Sequence, residues 1–176
     1  MSSFWKQIEK SVNKFMVDGD DERTAWHEAG HMLVFRKLMS NADPFFKMAS
    51  ADSLLVSERP AVDFKKRSLV DLHSAEYITG LVAGYAAELL NLKLTDRAVI
   101  SACAKRLISS ARTAKQMGIL QLVAANDDSK FFIIVDFSDD AELMLSDYID
   151  KAIKIIKEHK NEFLDIVSEY KTVMAA

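Results

Sequence analysis

The stretch of sequence that decides the fold of this chain is Thr-Ala-Trp-His-Glu-Ala-Gly-His-Met-Leu-Val, residues 24–34. It contains the pattern His-Glu-x-x-His at His27, Glu28 and His31, which on a helix is a zinc-binding signature. Residues four apart differ by only about 40° in direction around a helix, so both imidazoles project from one face. Zinc lowers the pKa of a bound water to roughly 7, and the neighbouring carboxylate of Glu28 can accept the proton as a general base. The motif therefore predicts metal-assisted amide hydrolysis.

The residues around the motif predict a helix from about residue 21 to residue 40. Apolar side chains recur there at helical spacing, namely Trp26, Ala29, Leu33, Val34 and Leu38. Acidic residues precede the motif and suit the N-terminal end of a helix, and Pro44 stops its continuation. Gly30 is about 1 kcal/mol less favourable than Ala inside a helix, which indicates a close approach by another backbone. A histidine pair that simply packs or lies exposed is the alternative interpretation of the five-residue pattern alone.

Length and composition bound the fold class. The 176 residues suffice for one domain with a hydrophobic core, and we expect a single domain over residues 1–176. With 49% apolar residues, 28% charged residues, 5 Gly and 2 Pro, the balance is typical of a helix-rich globular chain. We therefore predict a mainly α fold (α+β), a helical domain with a small β-sheet or hairpins and a C-terminal helical hairpin.

Charge and cysteine usage restrict partners and location. The formal net charge is −3 with dispersed Lys and Arg, so we expect no nucleic-acid partner. The single cysteine, Cys103, excludes an internal disulfide and fits core packing in a reducing compartment. The first residues lack the pattern of a signal peptide, and the most apolar later stretch, residues 78–90, is too short to span a bilayer. We expect no transmembrane segment and a cytoplasmic location.

The other elements follow from periodicity and turn residues. Residues 1–17 predict an amphipathic helix that docks on the domain, with binding to a membrane surface as the alternative. We expect short strands at residues 45–50 and 54–57, a helix over 68–91, another over 96–117, and a hairpin joining 120–124 to 131–137. After residue 138 we expect a long helical region that breaks near residues 159–161, with Leu143 among the residues of its buried side. Leu69 and Leu72 would lie on the buried face of the 68–91 helix.

The helix predicted over residues 68–91 is thin on one side. Its small residues are Gly80, Ala83, Gly84, Ala86 and Ala87. Small side chains let two helices approach closely, and the helix that carries the histidines is the neighbour we expect.

A catalytic zinc normally has three protein ligands, so two histidines are an incomplete set. His73 and His159 lie in unpromising contexts, so the third ligand is expected to be a carboxylate. Asp96 is the first choice because it starts a helix after a short loop, while Glu88 and Glu76 remain open. Asp96 could instead be an ordinary first-turn acid that favours the helix dipole.

Several segments, in order, resemble the zinc peptidase domain of the FtsH family of ATP-dependent proteases. They are Ala-Trp-His-Glu-Ala-Gly-His at 25–31, Asn-Ala-Asp-Pro at 41–44, Gly-Tyr-Ala-Ala-Glu at 84–88, Ala-Lys-Arg-Leu at 104–107 and Asp-Phe-Ser at 136–138. Together they cover roughly residues 22 to 170. The resemblance implies a mostly helical zincin-like fold with a small sheet, Zn²⁺ held by His27 and His31, Glu28 as general base, and Asp96 as the third ligand.

The chain also departs from that family. The loop before Asp96 is shorter and lacks the usual Gly and Ser, and the 176 residues contain no Walker-type phosphate loop. The first hypothesis is a zinc endopeptidase that acts on flexible or unfolded polypeptides, with a separate ATPase or self-association as further partners. The second is a catalytically inactive peptidase-like domain that binds proteins or regulates an assembly. A metal-dependent hydrolase of a small molecule is a third.

Overall fold

The described part of the chain, in a computed structural model, comprises residues 21–48, 60–116 and 139–176. Its elements in chain order are α1 (Asp21–Leu38), β1 (Pro44–Met48), β2 (Pro60–Phe64), α2 (Ala75–Asn91), α3 (Arg97–Gln116), α4 (Ala141–Glu158) and α5 (Lys160–Ala175). Short 3-10 helices lie at Ser40–Ala42 and Arg67–Leu69. The fold is mainly helical with a small antiparallel sheet, as predicted.

Helix α1 confirms the helix predicted around the histidines. Its last turn carries Arg36 and Lys37, cations that suit the negative C-terminal end. The chain then turns through Asp43, which adopts a left-handed backbone conformation with φ of 54°, and Pro44 begins β1. The proline thus ends the helical region as expected, because it starts an extended segment.

The partner of β1 is a strand that the sequence did not predict. β1 and β2 pair antiparallel, with Pro44 opposite Phe64 and Met48 opposite Pro60. The expected second strand at residues 54–57 lies outside the described residues, as do the helix expected at 1–17 and the hairpin expected at 120–137. A proline lies at each end of this two-stranded pairing. Because proline is uncommon within strands, the sequence pattern did not indicate β2.

Helix α2 begins at Ala75, so the prediction of a helix from residue 68 was wrong. Asp71 accepts a hydrogen bond from the backbone N–H of His73 at 2.9 Å, and Ser74 Oγ accepts one from Tyr77 N at 3.1 Å. These local bonds place the N-cap at Ser74 and hold the preceding segment out of the helix. Leu69 and Leu72 are consequently 56% and 47% exposed, not buried as predicted.

Helix α3 lies within a residue of its predicted bounds, and Cys103 is buried in the core. The predicted break near residues 159–161 is confirmed, because α4 ends at Glu158 and α5 begins at Lys160. The two helices pack mainly on other elements, α4 on α2 and α5 on α1, and touch each other little. The placement of Leu143 on the buried side was wrong, since that side chain is 60% exposed.

α2 is the central helix of the described bundle. Every residue from Tyr77 to Leu89 is buried, because α1 packs on one side and α4 on another. α5 packs against α1, and α3 packs against α4. None of the described helices is long and apolar enough to cross a membrane.

The contact between α1 and α2 is as close as the small residues predict. A Cβ added at Gly30 would lie 2.3 Å from the carbonyl oxygen of Ala83 and 2.8 Å from the Cβ of Ala87. Only a glycine allows this backbone approach. The histidines on α1 are thereby held against α2.

Candidate metal centre

His27 and His31 lie one turn apart on α1 and direct the same ring nitrogen toward each other. Their Nε2 atoms are 3.0 Å apart. Two nitrogens bound to one tetrahedral zinc ion, each at about 2.0–2.1 Å, would be separated by about 3.4 Å. The observed spacing is therefore close to that of two ligands of a single ion.

The hydrogen-bond partners of the other ring nitrogens fix where the ring protons lie. His31 Nδ1 is 2.7 Å from the carbonyl oxygen of Gly80, which can only accept, so this nitrogen carries the hydrogen. His27 Nδ1 is 2.6 Å from Glu88 Oε1, and the other carboxylate oxygen of Glu88 accepts a bond from Arg23 Nε at 2.6 Å. His27 therefore also donates from Nδ1.

When both rings are neutral with hydrogen on Nδ1, the lone pairs of their Nε2 atoms face each other. Two lone pairs at this distance repel each other unless a cation, either a metal ion or an extra proton, binds between or beside them. Metal-ligating histidines characteristically donate from their second nitrogen to a carboxylate or a backbone carbonyl, as both rings do here. The donor set of this site therefore fits a divalent metal of the zinc type.

The space in front of the two rings exists because residue 84 is a glycine. A Cβ at Gly84 would lie 2.5 Å from His27 Nε2 and 2.6 Å from His31 Nε2. Any larger residue would enter the region that the two nitrogens share. Tyr85, the next residue of α2, packs its ring edge-to-face on His27 with centroids 5.0 Å apart.

Glu28 belongs to the same group. The potential ligand atoms of His27, Glu28 and His31 all lie within 4.8 Å of one another, and within the described ranges these three form the group that could hold a metal ion. His31 is buried, whereas His27 and Glu28 are partly exposed. The centre therefore opens to solvent on the side of Glu28 and His27.

Asp96 is not in this group. It lies immediately before α3, is exposed, and its backbone carbonyl accepts hydrogen bonds from Val99 and Ile100. α3 packs chiefly on α4, and this contact does not bring the start of α3 toward α1. The structure thus brings together three of the four predicted site residues, and the role of Asp96 as a ligand stays a prediction.

Three groups that hold the histidines or their partners in place were not predicted in those roles from the sequence. Glu88 was considered as a ligand, but it lies behind His27 as its hydrogen-bond acceptor. Arg23 and the Gly80 carbonyl were not considered at all, since a backbone oxygen has no sequence signature. Glu76, also considered as a ligand, is exposed in the first turn of α2.

Comparison of the chain with protein-family models, with curated proteins and with solved structures gives no match.

Proposed function

We propose that this chain is a zinc-dependent endopeptidase that hydrolyses peptide bonds of flexible or unfolded polypeptides, with Glu28 as the general base. The observation that carries the proposal is the 3.0 Å distance between the Nε2 atoms of His27 and His31 on a His-Glu-x-x-His helix. The ordered series of segments that resembles the FtsH family supports the same activity. The first argument rests on the geometry of His27 and His31, and the second adds the segments that lie outside this motif.

His27 and His31 would hold the zinc, and the resemblance nominates Asp96 for the third position. When bound, zinc supplies a Lewis acid and an acidified water. The carboxylate of Glu28 lies within 4.8 Å of the histidine nitrogens, a distance that one intervening water can bridge. Its partial exposure lets it accept a proton there and deliver it to a leaving amine.

The surroundings of the centre favour an extended polypeptide as substrate. The two-stranded sheet packs beside α1 through Phe64, whose ring lies 4.9 Å from that of Phe35. A strand edge can bind an extended peptide by backbone hydrogen bonds, and an unfolded segment supplies such a strand. Folded substrates would need a separate ATPase to unfold them, and self-association is a further way to build a longer groove.

The test is degradation of an unfolded reporter protein by zinc-loaded wild type and Glu28→Gln. Loss of a general base typically costs about 10²- to 10⁴-fold in rate, so we expect cleavage to fall by that amount. Zinc content should be unchanged, because Glu28 is not assigned as a ligand. The matched control is Glu22→Gln, at an exposed position on the same helix. Equal cleavage by wild type and Glu28→Gln would contradict the role of Glu28.

The second candidate is a peptidase-like domain that binds proteins or regulates an assembly without hydrolysis. The exposed position of Asp96, outside the group formed by His27, Glu28 and His31, favours it, because a catalytic zinc normally has three protein ligands. This candidate predicts that zinc-loaded wild type binds an unfolded polypeptide, measured by fluorescence anisotropy, and leaves it intact. Detectable cleavage that depends on Glu28 would exclude it.

A further inference from the structure

A buried ion pair lies directly behind the candidate metal centre. Glu88 is only 4% exposed, and its two carboxylate oxygens accept hydrogen bonds from Arg23 Nε and His27 Nδ1, each at 2.6 Å. Arg23 is itself 22% exposed. A buried carboxylate is costly unless it is paired and its oxygens are hydrogen-bonded, so these contacts match what Glu88 requires.

The three residues come from two helices that the fold holds in close contact. Arg23 and His27 are one turn apart on α1, and Glu88 is on α2, one turn after Gly84. Its carboxylate thus bridges two donors of α1. The Gly80 carbonyl, two turns earlier on α2, holds His31 in the same way.

We propose that Glu88 and Arg23 are positioning residues for the metal centre. Glu88 fixes His27 as the Nδ1–H tautomer and directs Nε2 toward the shared site, while Arg23 holds the carboxylate in the orientation that this requires. The inference rests on the metal centre of the proposed function, but it does not depend on peptidase activity. It gives a role to two residues outside the His-Glu-x-x-His motif; Glu88 ends the resembling segment 84–88, but the resemblance implied no role for it.

The chemistry of the bridge explains why a carboxylate is needed. Glu88 accepts from two N–H donors at once, whereas a glutamine has one accepting oxygen and one NH₂ group. In Glu88→Gln one of the two donors must face that NH₂. If Arg23 takes the oxygen, the NH₂ donates toward His27 Nδ1 and favours the tautomer with hydrogen on Nε2, whose Nε2 has no lone pair for a metal at the shared site.

This conflict predicts a rescue. Arg23→Met removes the competing donor, so the amide oxygen of Gln at position 88 is then free to accept from His27. The double variant should bind zinc more tightly than Glu88→Gln alone. A residue that merely fills space would not show this reversal.

The experiment measures zinc affinity by competition with a chromogenic chelator. Loss of a hydrogen-bond partner of a metal-binding histidine typically costs about 10- to 100-fold, so Glu88→Gln should bind zinc that much more weakly than wild type. Arg23→Met should show a smaller loss, and the double variant should recover about ten-fold or more of the affinity lost in Glu88→Gln. Arg36→Met is the matched control, because Arg36 is on the same helix but pairs with Glu169 of α5.

A second readout is the tautomer of each histidine in metal-free protein, obtained from ¹⁵N chemical shifts in alkaline buffer where free imidazole is neutral. In wild type both rings should carry hydrogen on Nδ1. In Glu88→Gln only His27 should change, because His31 stays bonded to the Gly80 carbonyl. His31 thus serves as an internal reference, and the wild-type spectrum alone tests the inference if Glu88→Gln does not fold.

The outcomes separate this inference from the proposed function. Wild-type affinity in Glu88→Gln, no recovery in the double variant, or a His27 tautomer with hydrogen on Nε2 in wild type would each overturn the inference. No zinc binding by wild type would overturn the metal centre together with it. Tight zinc binding without cleavage of any unfolded polypeptide would overturn the peptidase and leave the positioning role supported.

Discussion

At the scale of single residues, the candidate metal centre depends on the missing side chain of Gly84 as much as on the histidines. A Cβ of residue 84 would lie only 2.5 and 2.6 Å from the two Nε2 atoms, which are at the ends of the two imidazoles. Such side chains can rotate away, unlike a backbone atom. A larger residue at position 84 should therefore leave the fold intact and disperse the two nitrogens.

We predict that Gly84→Ala weakens zinc binding by about ten-fold or more, the loss expected when ligand orientation is disturbed. The measurement is zinc titration, with circular dichroism to confirm that helical content is unchanged. Glu76→Ala, at an exposed position of the same helix, is the control. Wild-type affinity in Gly84→Ala would mean that the space beside Gly84 is not part of the centre.

The grouping of His27, Glu28 and His31 could be predicted from the sequence because one helical turn fixes their relative positions. Arg23 and Glu88 could not, since their meeting depends on how α1 and α2 pack across 65 positions of sequence. The position of Asp96 in space also depends on how helices pack, which the sequence does not reveal. Its place at a helix start was predictable, but the direction of that helix was not.

At the scale of elements, local hydrogen bonds decided the boundaries that apolar spacing misjudged. Leu69 and Leu72 continue the helical pattern of α2, yet Asp71 and Ser74 use their side chains to cap and turn the backbone before Ala75. The long periodic helices α1, α3, α4 and α5 were predictable because many residues contribute to each pattern. β2 has five residues and begins with a proline, so it shows little of the alternation that indicates a strand.

The hairpin of β1 and β2 carries a charge cluster around Asp63. Arg67 Nε donates to Asp63 Oδ1 at 3.0 Å, the backbone N–H of Phe64 donates to the same oxygen at 2.7 Å, and Lys47 lies 3.5 Å from Oδ2. The hydrogen bond from Arg67 is the main cause that lowers the pKa of Asp63 below its ordinary value of 3.8. Burial of Asp63 opposes this and raises its pKa, to a smaller extent.

The pH dependence follows from that direction. A carboxyl whose folded-state pKa is lowered stabilises the fold fully above its unfolded-state pKa, and this contribution is lost as the pH falls through the folded-state pKa. We predict that the Asp63 side chain titrates below 3.8 in ¹³C NMR spectra, and that Arg67→Met moves its midpoint upward toward that value. A midpoint that does not move in Arg67→Met would show that Arg67 is not the cause.

At the scale of the whole molecule, α5 packs against α1, the helix that carries the histidines, and also against the sheet, where the rings of Tyr170 and Phe46 lie 5.2 Å apart. Phe163 on α5 is 1% exposed and packs edge-to-face on Trp26 of α1, with centroids 4.9 Å apart. Ion pairs join the same helices at Arg36 with Glu169 and Lys37 with Glu162. These pairs are exposed, and exposed pairs contribute at most about 1 kcal/mol each, so the apolar contact should dominate.

We predict that Phe163→Ala lowers the free energy of unfolding by about 3–5 kcal/mol, the usual cost of removing a buried aromatic ring. Leu164→Ala is the matched control, since the neighbouring Leu164 is 40% exposed and should lose far less. Urea denaturation followed by circular dichroism measures both. Equal losses in the two variants would contradict the packing of α5 on α1.

The measurement that tests the central claim most directly is the metal content of the chain, by elemental analysis after purification without added metal. The account predicts about one zinc per chain in wild type, and loss of most of it in His27→Ala and in His31→Ala. Glu22→Gln, also on α1, should keep the metal. Wild-type protein that contains no zinc and takes up none on incubation with the ion would contradict the account.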